Sequence, residues 1–376
     1  MSDEREAGRT EPGGPGRLSG AWRAAVPVAA AVGIAAVVGG GLDFVNARGD
    51  SQPKKAASKS ATTSAPKPGK SGPRYVVGVR RAGTALVVRD ARTGKDVGVP
   101  VAAPQGRRFQ RVATGADGGY VVAAKAGGKV VFQRLVLDEK GRPTSLAAIP
   151  GTDLAGESTA WSDLAVTPDG NRIAYVTYRG TRSRLDVISV ADGARTTWTT
   201  RTPARLSSLS WAGDTLSFVW NPVRSVNGRL TEIRHQVRTL DTTGRGGDLV
   251  VSKAVLKLPE GSETAVLSRD GQNVVAGVIA GSKVALHTFS VRTGQPAEVL
   301  WSQPVAGGGE GAGTAQGGGT GDGPGTGGGG GAAGTIRARL DVDATGGHLL
   351  FTGSDGRLYV KGGPAVPGQD LDDAAW

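Results

Sequence analysis

The sequence has no cysteine. That removes disulfide scaffolds, thiolate metal sites, cysteine nucleophiles and the acylated cysteine of a lipoprotein together. Histidine is nearly as scarce. His235, His287 and His348 stand far apart, each in a strand-like stretch, and no His-Glu-x-x-His or similar ligand spacing exists. They read as structural or exposed side chains, and no metal or cofactor is expected. The Gly-x-Ser-x-Gly nucleophile elbow is missing, and no α/β segment follows that would carry a hydrolase triad. Gly69-Lys70-Ser71 ends like a phosphate-binding loop, but Ser64 stands where the first glycine is required and no strand or helix flanks it. Gly323-Pro324-Gly325-Thr326-Gly327-Gly328 fits a dinucleotide pattern only because it lies in a tract of glycines. A helical period of 3.6 residues is also lacking over any useful length.

Charge of one sign is in short supply: 33 Asp and Glu face 45 Lys and Arg, for a net charge of +12. The excess favours anionic partners, with simple solubility as the plainer reading. The Arg, Gly and Ala bias is that of a high-GC bacterial coding sequence.

One long uncharged run is present, Ala24 to Leu42, rich in Ala, Val and Gly. Its nineteen residues at ~1.5 Å each span about 28 Å, close to the hydrocarbon thickness of a bilayer. Pro27 sits near its start, and Gly39, Gly40 and Gly41 end it before Asp43. The expectation is a short cytoplasmic tail over 1–23, a signal-anchor transmembrane helix over 24–42, and a large domain exported behind it. Arg5, Arg9, Arg17 and Arg23 before the run nearly balance Arg48, Lys54, Lys55 and Lys59 after it, so orientation rests on the tail being short. The alternative is a signal peptide cleaved near Val45-Asn46-Ala47, which would give a secreted soluble protein. From 43 to 74 the chain is Ser, Ala, Pro and Lys with almost no large apolar residue, the composition of a disordered basic linker that could also touch anionic lipid or wall polymer.

From Tyr75 to Trp376 the chain reads as short alternating strands broken by Gly and Asp turns, such as Tyr75-Val76-Val77-Gly78-Val79 and Arg172-Ile173-Ala174-Tyr175-Val176. The turns recur. Gly118 precedes Gly141 by 23 residues, Gly170 precedes Gly193 by 23, and Gly271 precedes Gly294 by 23. Gly118 to Gly170 is 52 residues and Gly170 to Gly271 is 101, leaving room for a copy at Leu209-Ser210-Trp211-Ala212-Gly213-Asp214. A unit of roughly 50 residues with four short strands cannot bury both faces alone, so units must stack radially. Units starting near 75, 108, 159, 206, 263 and 335 make six blades; seven result if the fourth, with its excursion from Asn221 to Gly228, is two. The end, Asp372-Asp373-Ala374-Ala375-Trp376, is like the inner strand Ser207-Ser208-Leu209-Ser210-Trp211 and would complete blade 1. A low-complexity, Gly-rich insert over 307–334 is expected to be disordered. Trp198, Trp301, Trp161, Trp211 and Trp376 recur at set places and read as packing between blades.

Leu164-Ala165-Val166-Thr167-Pro168-Asp169-Gly170-Asn171-Arg172-Ile173-Ala174-Tyr175 resembles the repeat of TolB-type, WD-repeat-like β-propellers. Ser268-Arg269-Asp270-Gly271 is similar, Ala116-Asp117-Gly118 less so, and Ala344-Thr345-Gly346-Gly347 least. The resemblance covers 75–376 and implies an all-β propeller, not a function. The expectation is therefore a single-pass, membrane-anchored extracytoplasmic propeller acting as a non-enzymatic binding or scaffold module. Its partner would be a protein or an anionic cell-wall or lipid surface. Nucleic acid is disfavoured by the outward topology, and oligomeric state is not encoded in any feature noted. Two basic, loop-like stretches supply the candidate contact residues: Arg179, Arg182 and Arg184 in one, Arg224 and Arg229 in the other. A propeller lyase or hydrolase is the rival reading, with Asp163, Asp186, Asp341 and Asp343 as imagined channel carboxylates; two of them within ~10 Å on the channel floor would support it.

Overall fold

A computed structural model describes residues 72–376 except 227–228, 281–282, 305–337, 344, 354–355 and 362, all within the unit Ser58–Trp376. The run 24–42, the linker up to 71 and the Gly-rich tract lie outside the described residues. Among the described residues no helix is long and apolar enough to cross a membrane.

The described residues form six sheets, antiparallel throughout except where Gly247–Asp248 runs parallel to Arg195–Thr199 at the outer edge of one. Blade 1 is Leu371–Ala375, Tyr75–Arg80, Ala85–Asp90 and Val101–Ala102, taken from inside outward. Blade 2 is Arg107–Thr114, Tyr120–Ala126, Lys129–Leu137 and Pro143–Ala148; blade 3 is Leu164–Val166, Arg172–Arg179, Arg182–Ser189 and Arg195–Thr199. Blade 4 is Ala204–Ala212, Thr215–Val226, Gln236–Asp241 and Lys253–Lys257. Blade 5 is Ser262–Leu267, Asn273–Ala280, Lys283–Ser290 and Pro296–Pro304, and blade 6 is Arg339–Val342, Leu349–Thr352, Arg357–Val360 and Val366–Pro367. Each innermost strand touches the innermost strand of the next blade, and blade 6 touches Leu371–Ala375. The ring is a six-bladed β-propeller.

The strand at Leu371–Ala375 pairs with Tyr75–Arg80, Ala375 opposite Val77 and Ala374 opposite Gly78, so the last strand of the chain completes its first blade. Closure of this kind leaves no open ring edge. The seven-blade alternative is excluded: the excursion in blade 4 is an extension of its second strand, where Val223–Val226 pairs with Arg229–Glu232 in a protruding hairpin rather than a further blade.

Alternating residues on each strand face the neighbouring blade, so the core is six clusters, one per junction. Between blades 1 and 2 lie Val77, Val79, Phe109, Val122 and Leu135. Between blades 3 and 4 lie Tyr178, Leu185, Trp198, Trp211, Leu216 and Phe218. Trp198, Trp211 and Trp376 are all buried, in keeping with packing between blades.

The repeating turn has a local cause. In blade 3 the Asp169 carboxylate accepts from the Thr167 hydroxyl (2.5 Å) and the Asn171 N–H (3.0 Å), and Gly170, at φ 73°, donates its N–H to the Thr167 carbonyl. Ser268, Asp270, Gln272 and Gly271 repeat these contacts in blade 5. The side-chain acceptor closes the turn and glycine supplies the left-handed conformation.

Gly277 is needed for another reason. A Cβ there would lie 2.4 Å from the Phe351 ring of blade 6, inside a junction with no slack. Gly277→Ala is expected to cost about 1–3 kcal/mol through overpacking, read as a lower urea midpoint with an unchanged slope; an unchanged midpoint would mean that blades 5 and 6 are not packed this closely.

Candidate functional site

The channel is where charged side chains meet. Inner strands of a propeller are mostly small and apolar, yet here five charged groups converge from four blades: Arg111 of blade 2, Asp163 at the start of blade 3, Arg339 and Asp341 of blade 6, and Asp373 of blade 1. Arg339 reaches across the ring. Its Nη1 is 2.8 Å from Asp163 Oδ1 and 3.2 Å from Asp373 Oδ1, and Nη2 donates to the Ser162 carbonyl at 3.3 Å. Burial alone would lower its pKa, but Asp373 and Asp163 outweigh that and raise it. Arg111 is buried and bonded to three carbonyls, with Nε on Ser162 and Nη2 on Ala160 (2.6 Å each) and Nη1 on Gln110 (2.6 Å). Burial, with the nearby Arg339 charge, lowers its pKa.

Each carboxylate also holds the backbone of a neighbouring blade. Asp163 Oδ2 accepts from Leu209 N–H (3.0 Å), Asp373 Oδ2 from Val112 N–H (2.9 Å), and Asp341 Oδ2 from Trp376 N–H (3.0 Å). Ser210 does the same for Leu267 N–H (3.0 Å). These bonds link blade 3 to 4, 1 to 2, 6 to 1 and 4 to 5, and Arg111 links 2 to 3.

Two cavities occupy the channel. One lies where the inner strands begin and has a volume of about 50 Å³; Trp161, Asn221, Glu232 and His235 are part of its wall. The other, about 70 Å³, lies where they end, beside Trp211, Arg269 and Asp343. Leu164, Leu209, Leu340 and Asp341 border both, forming a collar between them. Room for one water is about 10–15 Å³ on this measure, so each cavity admits a small group.

Of the four imagined channel carboxylates, Asp163 and Asp341 wall the upper cavity, and Asp343 lies in the lower one. Asp186 does not belong there. It sits on the third strand of blade 3, fully buried, and accepts from Arg184 (2.8 Å) and Thr197 (2.6 Å); its outward place in the blade follows from two strands lying between it and the axis. Asp163 and Asp373 meet on one guanidinium nitrogen, well inside the ~10 Å separation associated with paired-carboxylate hydrolysis. Both also take part in blade-to-blade bonds through Arg339 and the Leu209 and Val112 N–H groups. Arg111, Arg339 and Asp373 were not singled out from the sequence. The signal available was a charge interrupting an otherwise small and apolar inner strand.

The basic stretches are hairpins, not loops. Arg179 and Arg182 pair across the second turn of blade 3 and are exposed, while Arg184 is half-buried against Asp186. Arg224 is exposed on the blade 4 hairpin; Arg229 lies on its return strand, and its side chain falls outside the description. Alternating polar and apolar residues drive pairing in both cases. The structure brings the two to one end of the propeller. Ala204 N–H, at the start of blade 4, donates to the Thr181 carbonyl (3.3 Å), and Glu232 and His235 at the foot of the blade 4 hairpin wall the upper cavity. There Arg205 stacks over Trp161, 3.2 Å from the ring centroid, and pairs with Glu232 at 2.7 Å; His235 Nε2 is 2.8 Å from Glu232 and its Nδ1 is 3.1 Å from the Ser262 carbonyl. His348 pairs with Asp343 at 3.1 Å and His287 stacks on Phe289, where burial lowers its pKa. Among the described residues no group of three or more His, Cys, Asp or Glu is placed to hold a metal ion.

No protein-family profile matches the chain, and no curated protein does. Solved structures do. The likeness is one of fold. TolB from Acinetobacter baumannii matches at 16% identity over 57% of this chain with a TM-score of 0.37, and the chain spans 49% of that protein. A putative TolB from Agrobacterium tumefaciens matches at 15% over 61% of this chain and 78% of its own, with a TM-score of 0.41. A functionally unknown protein from Desulfotomaculum acetoxidans matches at 13% over 80% and 96%, with a TM-score of 0.45.

Asp341 yields a test. Burial, with the Asp373 and Asp163 charges beside it, raises its pKa from 3.8 to about 7 against the pull of the Trp376 N–H. The folded chain therefore holds this proton more tightly than the unfolded chain, and the resulting stability is lost as pH rises from 3.8 to about 7. Asp90, Asp343 and Asp370 have lowered pKa values, so their contributions change below that window, whereas Asp373, raised by burial, adds to the fall and His287, lowered by burial, opposes it, so the part owed to Asp341 is read from the difference between wild type and Asp341→Asn. Urea stability of the wild type is expected to fall by on the order of 1 kcal/mol per pH unit from about pH 5 to 7, and Asp341→Asn to flatten that slope. Equal slopes in the two proteins would show that Asp341 titrates as an ordinary surface carboxylate.

Proposed function

We propose that this protein is a membrane-anchored, extracytoplasmic binding module that holds an anionic cell-envelope ligand, or an acidic protein surface, at the end of the propeller where the channel mouth opens. The observation that carries this is the convergence of two basic hairpins from blades 3 and 4 beside that mouth. Arg179, Arg182, Arg224 and Arg234 are exposed there; Asp186 and Glu232 are already engaged by Arg184 and Arg205, and exposed Glu157, bridged to Tyr178, is a lone acid among these arginines. The net positive charge of the rim is thus left for a ligand. Val226 and Ile233, 46% and 54% exposed on the blade 4 hairpin, add apolar contact area. The uncharged run 24–42 followed by a basic linker supports anchoring. A non-enzymatic role is supported by the occupation of the channel carboxylates in bonds between blades and by the lack of any catalytic motif in the sequence.

Two measurements test it. Alkaline-washed membranes should retain the full-length protein, and protease added to wall-stripped cells should digest the propeller; release as a shortened soluble form would instead make it secreted. Purified full-length protein should bind an immobilised poly(glycerol phosphate) polymer with an affinity that falls steeply with salt. The triple variant Arg179→Glu, Arg182→Glu, Arg224→Glu should weaken it at least tenfold, since each basic residue near an anionic surface contributes about 1 kcal/mol. Unaltered binding by that variant would remove the rim from consideration.

A further inference from the structure

The channel mouth has the opposite character to its rim and to the molecule as a whole. Among the described residues its wall carries the carboxylates of Asp163, Asp341, Asp373 and Glu232 with the Arg339 guanidinium and the His235 imidazole, and Arg111 and Arg205 lie beside it. Asp163 and Asp373 share Arg339, and Glu232 is held by Arg205 and His235. Among the described residues the donors to Asp341 are neutral: the Trp376 N–H at 3.0 Å, the Thr114 hydroxyl at 3.5 Å and the Val342 N–H.

A second feature is independent of that acidity. Asn221, on the second strand of blade 4, is 3% exposed and borders the same cavity, yet among the described residues its Oδ1 has no hydrogen-bond partner. A buried carbonyl left unpaired costs about 1–3 kcal/mol. The adjoining inner strand of blade 4 is shaped at some cost as well. Ser208 adopts φ 55°, in the left-handed region, where the blade 4 inner strand shifts register, and its hydroxyl meets Thr264 at 2.9 Å. Bulges and strained non-glycine residues of this kind cluster at ligand sites.

We propose that the upper channel cavity binds a primary alkylammonium group, with the Asn221 carbonyl, a channel carboxylate and the Ser207 or Ser208 hydroxyl as its three acceptors. An ammonium carries three donors, no acceptor and a compact charge, which matches an unpaired acceptor beside a carboxylate lacking a cation. A cavity of about 50 Å³ accepts such a head group and excludes a large metabolite. A divalent metal is a poorer match, because no three ligating side chains are grouped for it among the described residues. The site lies inside the channel and favours cations, so it goes beyond the anion-binding rim and stands or falls separately from it.

The test is titration of the purified full-length protein with n-butylammonium chloride, followed by calorimetry and by tryptophan fluorescence, since Trp161 borders the cavity. n-Butanol and matched sodium chloride serve as controls. Saturable binding is expected for the ammonium, at least tenfold tighter than for the alcohol. Asn221→Leu deletes an unsatisfied buried group, so its fold is expected to survive, verified by an undiminished Tm, while ammonium affinity drops at least tenfold. The rim triple variant should bind butylammonium as the wild type does. Nα-acetyl-lysine methylamide distinguishes the source: binding as tight as butylammonium assigns the site to a protein lysine, and weaker binding assigns it to a free amine. Ammonium no better than butanol or salt, or wild-type affinity in a folded Asn221→Leu protein, overturns the site.

Discussion

Arg339 is the one side chain on which the channel depends. It projects from blade 6 to Asp163 of blade 3, half the ring away, and takes in Asp373 of blade 1 on the same nitrogen. A guanidinium buried this deeply is tolerable only when its donors are met, and carboxylates buried this deeply only beside a cation. The two requirements are met by one another. Because Asp163 and Asp373 each use their second oxygen to accept a backbone N–H from the following blade, the charge cluster fixes the relative position of inner strands that would otherwise touch only through small apolar side chains. Replacing one member would strand the others. Replacing the whole set with apolar residues need not cost stability.

The ring also has to close, and here sequence and structure speak to the same point. The repeat of about 50 residues, set by Asp-Gly turns, was legible because turn chemistry is local: Thr167, Asp169 and Gly170 make their bonds within a few residues of one another. So was the completion of blade 1 by the chain's last strand, since three strands at the start and one unpaired strand at the end have a single economical solution. The excursion in blade 4 was harder to read. Alternation in Val223–Val226 and Arg229–Glu232 describes a strand equally well inside a blade or beyond it, and only the pairing shows that it extends the blade 4 hairpin.

The site was less legible than the fold for a physical reason. A basic rim residue is recognisable by type, and Arg179, Arg182 and Arg224 are exposed as a solvated charge should be. A channel residue is recognisable only once the strand's inward face is known, because the same Asp is a turn former, a blade residue or a channel ligand according to one step of register. Asp186 and Asp163 illustrate the two outcomes. Both are buried aspartates of blade 3, but one lies two strands out, ion-paired with Arg184 and accepting from the Thr197 hydroxyl, while the other borders the axis. Arg339 was invisible for the same cause: its role depends on a partner 176 residues away in sequence.

Opposed charges at rim and mouth have a consequence for recognition. A polyanion drawn to the exposed arginines of blades 3 and 4 would be repelled by the carboxylates a short way inside, so it would lie across the opening and not enter it. A ligand carrying both signs, with phosphate or carboxylate groups along its length and an amine on a short stem, would satisfy both regions at once, and the two contacts would reinforce one another by raising the local concentration of each. The collar of Leu164, Leu209, Leu340 and Asp341 then sets the depth to which such a stem reaches. It is the junction between the apolar packing that holds the blades and the polar mouth.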